Sequence, residues 1–231
     1  MMDKNYKCKE ESGQQEPLAE HVYDKRIKEY GWVGPEVAFG LAYEYTSPGQ
    51  TILDIGIGTG LGSVLFHRAG MVVYGLDSSD AMLDICRRKG FASDLQLHDV
   101  NKMPYPYDGE SLDHAVCIGV LQLFENIQPV IEEVARIIRE SGVFVFTVLD
   151  RSPSESAAMV LGPEITDSGS THTIYRHSTA QISKYLQVCG FELVKSLEFN
   201  MFMDREQKRK SPVKTYVAMK RNTTRRSSGT G

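Results

Sequence analysis

A doubly wound α/β fold with a Rossmann-like, mostly parallel sheet of seven strands is the architecture that this sequence predicts. Three observations predict it. After Gln50, apolar runs of strand length alternate with amphipathic stretches of helix length; a glycine-rich turn follows the first such run; and no helix separates the last two strands. Alternating strands and helices require right-handed crossovers and parallel pairing, whereas strands joined directly pair antiparallel.

The elements follow in order. Residues 1–18 and the basic tail 221–231 lack apolar periodicity and read as disordered, leaving 19–220 as a single domain. "HVYDKRIKEYGWVGPEVAFGLAYEY", residues 21–45, reads as two helices broken near Gly31 to Pro35, since Gly-Trp-Val-Gly-Pro cannot continue a helix. "TILDIG", "MVVYGLD", "DLQLHDV", "LDHAVCIGV" and "GVFVFTVLD" are strands, and "GLGSVLFHRAG", "SDAMLDICRRKG" and "IQPVIEEVARIIRES" are the helices between them. In the last helix Ile127, Val130, Ile131, Val134 and Ile138 share one face. Residues 150–177, rich in Ser, Gly and Pro, read as a long functional insert with a short strand near its end. Ser178 and Gln181 form a capping-box pair that starts a further helix, Gly190 suits its end, and "FELVKSLEFN" and "KTYVAMKR" close the chain as an antiparallel hairpin at the sheet edge.

The bulk numbers exclude more than they assign. A composition of 41% hydrophobic and 24% charged residues over 231 positions is that of a soluble globular protein, and a formal charge of −4 offers no general attraction to nucleic acid or to an acidic membrane. The longest apolar run, Gly142 to Leu149, is too short to cross a bilayer, and the polar N-terminus lacks a leader's apolar stretch, so a cytoplasmic protein is expected. Cys8, Cys86, Cys117 and Cys189 are scattered, which fits reduced thiols rather than a disulfide framework or a zinc site.

Chemistry concentrates in "LDIGIGTGLGS". Gly56, Gly58 and Gly60 mark a turn whose backbone can approach a ligand, but no register of the stretch fits G-x-G-x-x-G, which disfavours a pyrophosphate. Asp54 ends the first strand with a carboxylate aimed at that ligand, suited to an amino group or a sulfonium. Asp77 ends the second, where a carboxylate can accept hydrogen bonds from both hydroxyls of a ribose. A nucleoside with a cationic tail matches both.

With these residues in place, "LDIGIGTG", "GLDSSDAML", "LHDVNKMPYPYDGESLDHAVCIGVLQ" and "EEVARIIRESGVFVFTV" resemble the class I S-adenosylmethionine-dependent methyltransferases. The resemblance is nearest to the type 11 branch with the ubiquinone and menaquinone methyltransferases, and looser to the methyltransferase encoded in the Williams–Beuren region. It spans roughly Tyr45 to Thr147 and implies S-adenosylmethionine as cofactor. It further implies methionine contacts from Gly56, Gly58 and Gly60, ribose hydrogen bonds from Asp77, adenine flanked by Ser78 and Met82, and the adenine amino group held by Asp99 beside Val100. Cys117 and Ile118 would offer a backbone carbonyl to the methionine amino group. Taken alone, Asp77 could be a helix N-cap and Asp99 a solvated loop residue; His114, inside a strand, reads better as a core histidine than as a catalytic one.

The acceptor is less legible, because displacement at a sulfonium depends on alignment and exclusion of water rather than on a fixed catalytic triad. "CIGV" lacks the N/D-P-P-Y/F motif of DNA-base and glutamine methylation. Cys117 supplies no hard metal ligand, and Glu125, Glu132 and Glu133 read as a helix's solvated face. No metal, DNA or membrane partner is therefore expected. A small organic acceptor is the first choice, with a protein or RNA acceptor, or a catalytically silent binding module, as alternatives. Tyr30 and Trp32 in the N-terminal helices and Tyr175 and His177 in the insert are the lid candidates. Strand alternation puts Tyr175 and His177 on one face and His172 and Arg176 on the other, and the first pair is preferred as facing the acceptor, with His177 alternatively a bystander ahead of the helix cap. Lys208, Arg209, Lys210 and Lys214 read as a solvated turn.

Overall fold

The structure is a computed structural model that describes residues 22–162, 171–203 and 208–222. The expected N-terminal disorder, most of the basic tail and the middle of the 150–177 insert lie outside the described residues. Two helices, α1 (Val22–Glu29) and α2 (Gly34–Ala42), precede the sheet, broken where Gly31 and Pro35 predict. The sheet then builds from β1 (Thr51–Ile55), α3 (Val64–Arg68), β2 (Val72–Asp77), α4 (Asp80–Lys89), β3 (Ala92–Leu97), β4 (His114–Cys117), α5 (Gln128–Ile137) and β5 (Val143–Asp150). The short hairpin β6 (Ala158–Leu161) and β7 (His172–His177) follows, then α6 (Thr179–Val188) and the long hairpin β8 (Phe191–Phe202) and β9 (Lys210–Lys220).

Strands β3-β2-β1-β4-β5 run parallel, β9 lies antiparallel beside β5, and β8 pairs with β9 at the edge, which is the expected seven-strand arrangement. Among the described residues the sheet has nine strands rather than seven, because the insert contributes β6 and β7. That hairpin pairs internally from Ala158↔Tyr175 to Leu161↔His172 and meets β5 only at Leu149↔Arg176 and Asp150↔His177. An irregular, Ser-rich stretch of sequence thus concealed a second short strand.

Helix α3 is also shorter than its pattern suggests. It starts at Val64 because residues 61–63 still belong to the glycine turn. Elsewhere the patterning holds: Val130, Ile131 and Val134 of α5 are buried with Ile182 and Leu186 of α6 on one sheet face, and α2, α3 and α4 cover the other with Ala38, Phe66 and Leu83. Burying each large aliphatic side chain contributes roughly 1.5–3 kcal/mol, so both layers are needed to hold the strand ends in register. Ser178 caps α6 by accepting from the Gln181 amide at 3.3 Å, while the Gln181 side chain turns to the Tyr185 hydroxyl, leaving the capping box half made.

Two sequence expectations about single residues resolve differently. His114 is a core histidine: its Nδ1 accepts from the Val143 amide at 3.1 Å and its Nε2 lies 3.0 Å from Gln50 Oε1. Glu133, expected on a solvated face, is 7% exposed. It accepts from the Tyr105 amide at 2.6 Å and pairs with Arg136 Nε at 2.9 Å, because the loop after β3 folds back over that side of α5. The cysteines Cys86, Cys117 and Cys189 are free.

Candidate cofactor and acceptor site

Strand order reverses at β1, which has β2 on one side and β4 on the other, and in open α/β sheets ligands bind outside the carboxyl ends at such a point. Asp54 and Asp77 both stand there. Asp54 is 2% exposed, and burial pushes its carboxyl up to about 7, the neighbouring Ser63 hydroxyl pulling weakly the other way and Asp77 adding to the rise. Its Oδ2 has no hydrogen-bond partner among the described residues, and a Cβ placed on Gly62 would come within 3.1 Å of that oxygen. Gly62 therefore keeps an approach to the carboxylate open.

Asp77, 8% exposed, ties the site together. Its Oδ2 accepts from the Gly58 amide and its Oδ1 from the Ser79 amide, each at 2.8 Å, and burial raises its pKa against these hydrogen bonds. The N-cap of α4 is Ser79, which accepts from the Met82 amide at 3.4 Å, so Asp77 is not that cap. The Ser78 amide also bears on this carboxylate and helps to hold its pKa down.

The glycines divide by role. Gly58, at φ 54°, faces open space, its nearest neighbours being Asp77 Oδ2 and the Gly56 carbonyl at 4.0 Å. A side chain on Gly60, at φ 89°, would instead strike Phe91 at 2.4 Å and Cys86 Sγ at 3.1 Å, so its place is set by packing beneath the turn. Gly56 lies against Val120.

The remaining candidates surround these. Ser78 is exposed and Met82 half-buried at the start of α4; half-buried Asp99 accepts from the Asn101 amide at 3.0 Å; and Val100, 5% exposed, has its carbonyl held by the Tyr105 hydroxyl at 2.9 Å. Cys117 is fully buried in the core, its thiol pKa raised well above the ordinary value, which leaves only its backbone available at the cleft. Ile118 packs toward Gly62.

The sequence reading missed how α1 is held. Asp24, 3% exposed, accepts from Thr59 Oγ1 and Lys89 Nζ, each at 2.6 Å, laying α1 across the glycine turn. Tyr23 is close enough to Asp24 and Asp77 that both carboxylates add to burial in raising its pKa. A single Asp in a short polar helix carries no signal of this until the turn and α4 are brought beside it.

Trp32 lies 3.4 Å from where a Gly119 Cβ would be and 5.8 Å, ring to ring, from Phe199. It joins Leu149, Ile174 and Val213 in an apolar cluster with Met159, Leu161, Met201 and Met203 at the carboxyl edge of the sheet. The Tyr30 carbonyl accepts from the Phe202 amide at 3.0 Å, pinning the bend between α1 and α2 to the long hairpin. On β7, Ile174 belongs to the Trp32 cluster, so alternation turns Arg176 toward that cluster and Tyr175 and His177 away from it. His177 is 1% exposed; its nitrogens lack well-formed hydrogen bonds, although the backbone of Leu121 and Phe124 is close. Burial lowers its pKa, and Arg151 adds to the lowering. A cavity of about 540 Å³ lined by Phe39, Tyr43, Pro48, Leu65 and Met71 lies at the amino ends of β1 and β2, opposite this site. Among the described residues no three potential ligands gather to hold a metal ion, and no helix is long and apolar enough to cross a membrane.

Comparison with known proteins agrees with this geometry. A family model described as a methyltransferase domain, of type 11, matches residues 53–146. The malonyl-[acyl-carrier protein] O-methyltransferase of Serratia marcescens is 31% identical over 102 residues, covering 44% of this chain and 39% of that protein. A ubiquinone biosynthesis O-methyltransferase of Hahella chejuensis is 27% identical over 121 residues, covering 51% and 50%. The chain thus spans about half the length, or less, of these curated relatives. A solved S-adenosylmethionine-dependent methyltransferase of Methanosarcina mazei superposes with a TM-score of 0.66 at 16% identity, covering 78% of this chain and 97% of that one, a likeness of fold.

Proposed function

We propose that this chain, which carries a class I S-adenosylmethionine-dependent methyltransferase domain, is an enzyme that moves a methyl group from that cofactor to a small organic acceptor, without a metal ion. One observation supports the cofactor above the others: Asp54, buried, short of a hydrogen-bond partner and raised to about 7, stands beside an open glycine turn. A buried carboxylate in that state gains by meeting a cation. An amino group and a sulfonium are such partners, and Asp77, at the end of β2 beside the glycine turn, suits ribose hydroxyls.

In this reading the backbone at Gly58 and the carboxylates of Asp54 and Asp77 hold the cofactor. Ser78, Met82, Asp99 and Val100 border the adenine, and the backbone at Cys117 and Ile118 meets the methionine end. Bound there, S-adenosylmethionine supplies an electrophilic methyl group on a sulfonium whose charge is lost on transfer. The chain's own contribution is alignment and dryness. Trp32, Leu149 and Ile174 form an apolar wall, α1 is fastened over the turn by Asp24, and the β6–β7 hairpin reaches β5 at the mouth of the site.

A small acceptor draws support from the lid-like placement of α1 and the hairpin, and from relatives whose names make them O-methyltransferases. A cytoplasmic setting completes the reading. The test has two steps. S-adenosylmethionine and S-adenosylhomocysteine should raise the melting temperature while NAD and ATP do not. Label from radioactive S-adenosylmethionine should then enter the metabolite fraction of an extract; label confined to protein or RNA overturns the small acceptor, and no stabilisation by either cofactor form overturns the whole reading.

A further inference from the structure

At the carboxyl edge of the sheet, near the Trp32 cluster, three polar groups have incomplete bonding among the described residues. Arg176 stands beside Leu149 where β7 meets β5. Its Nη1 reaches Glu155 Oε1 at 3.3 Å, longer than a good charge-assisted hydrogen bond. Its Nη2 sits 2.7 Å from the thioether sulfur of Met159, a weak acceptor, and its Nε is buried with no partner among the described residues. Arg151, half-buried one residue beyond the end of β5, likewise has a buried Nε with no partner among the described residues. On the neighbouring strand β9, Val213 pairs with Leu149, and Ser211, two residues before it and 3% exposed, has a buried hydroxyl that is also unpartnered among the described residues.

The surroundings offer these donors little. Leu149, Ile174 and Val213 are buried there, with Trp32, Met159, Phe199 and Met201 packed against them. Glu155 lies toward solvent with a side chain 39% exposed. Asp150 adds to burial in raising the pKa of Tyr216 on the other sheet face, and burial lowers the pKa of His177. Among the described residues, Glu155 is the one carboxylate bonded to either guanidinium group, and the cost of leaving donors buried and unpaired is recovered when an acceptor arrives.

We infer that the methyl acceptor is an organic carboxylate, its anion seated on Arg176 and Arg151 with Ser211 beside them and its apolar body laid against Trp32, Met159 and Phe199. A carboxylate matches the planar fork of a guanidinium, which a neutral amide of the same shape does not. The carboxylate serves for orientation, and Arg176 acts as a specificity residue. This assignment rests on the methyltransferase reading of the neighbouring cofactor site.

The test is calorimetric, on the full chain saturated with S-adenosylhomocysteine, using benzoate and octanoate against benzamide and octanamide. Each acid should bind at least tenfold more tightly than its amide. Arg176→Gln and Arg151→Gln should each remove at least tenfold for the acids and leave the amides and S-adenosylhomocysteine unaffected. If a glutamine variant loses its cooperative melting, Arg176→Lys takes its place, keeping the charge and losing the fork, with the same discrimination expected to shrink. Equal affinity for acid and amide, or acids that bind both variants as they bind the parent, overturns the inference. Failure of S-adenosylhomocysteine to bind at all overturns the methyltransferase reading instead, and the two outcomes are read separately.

Discussion

Cofactor affinity should depend on pH chiefly through Asp54, and most of the dependence should be lost in Asp54→Asn. The folded protein holds this carboxyl at about 7 against an ordinary 3.8, so the fold favours its protonated form. The sign follows: the stability contributed by Asp54 is full below about 4 and is lost as pH rises through about 7. A rise of that size corresponds to roughly 4 kcal/mol as an order of magnitude. A cationic ligand selects the ionised form, so part of that energy reappears as affinity. Below about 7 binding expels a proton, and affinity should climb by about tenfold or slightly more between pH 5.5 and 7.0, then level off. Asp77, also raised by burial, acts in the same direction, and the Asp54 variant separates the two. Titration calorimetry with S-adenosylmethionine in buffers of different ionisation enthalpy reads both affinity and proton release. A flat pH profile in the parent, or the same slope in Asp54→Asn, would refute the assignment of Asp54 to the cationic end of the ligand. In the absence of cofactor, Asp54→Asn should be more stable than the parent at pH 8.

Three further outcomes are expected. Asp77→Ala should weaken S-adenosylhomocysteine binding by about 1.5–3 kcal/mol, and because it strips the Gly58 and Ser79 amides of their acceptor it should also lower folding stability by about 1–3 kcal/mol, seen in urea melts. Gly60→Ala should be the more destabilising of two glycine changes, since it meets Phe91 and Cys86, whereas Gly58→Ala should mainly cost affinity in calorimetry; the reverse order would remove the distinction between packing and ligand-facing glycines. His177→Ala, at a fully buried site, should lower the melting temperature, while a rate loss with unchanged melting and unchanged S-adenosylmethionine affinity would restore it as a general base.

The order of elements from Thr51 to Asp150, the glycine turn and the two acidic strand ends were all determined by the sequence alone, because each is written locally. Strand ends and helix starts follow from periodicity, and Asp54 and Asp77 sit at fixed distances from a turn that glycines reveal. What the tertiary structure decided depends on register between distant segments. Periodicity could say that Tyr175 and His177 share a face; only the pairing of β7 with β5 showed that this face turns from Trp32 and that Arg176 turns toward it. Asp24 reaches Thr59 across 35 positions, and Val213 comes opposite Leu149 through β9. Glu133 shows the same limit within one helix: α5 displays which residues are apolar, but the loop that covers its polar side is specified elsewhere. Local patterning fixes conformation through short-range sterics and hydrogen bonding, whereas a site assembled from several strand ends exists only once the sheet has chosen its neighbours.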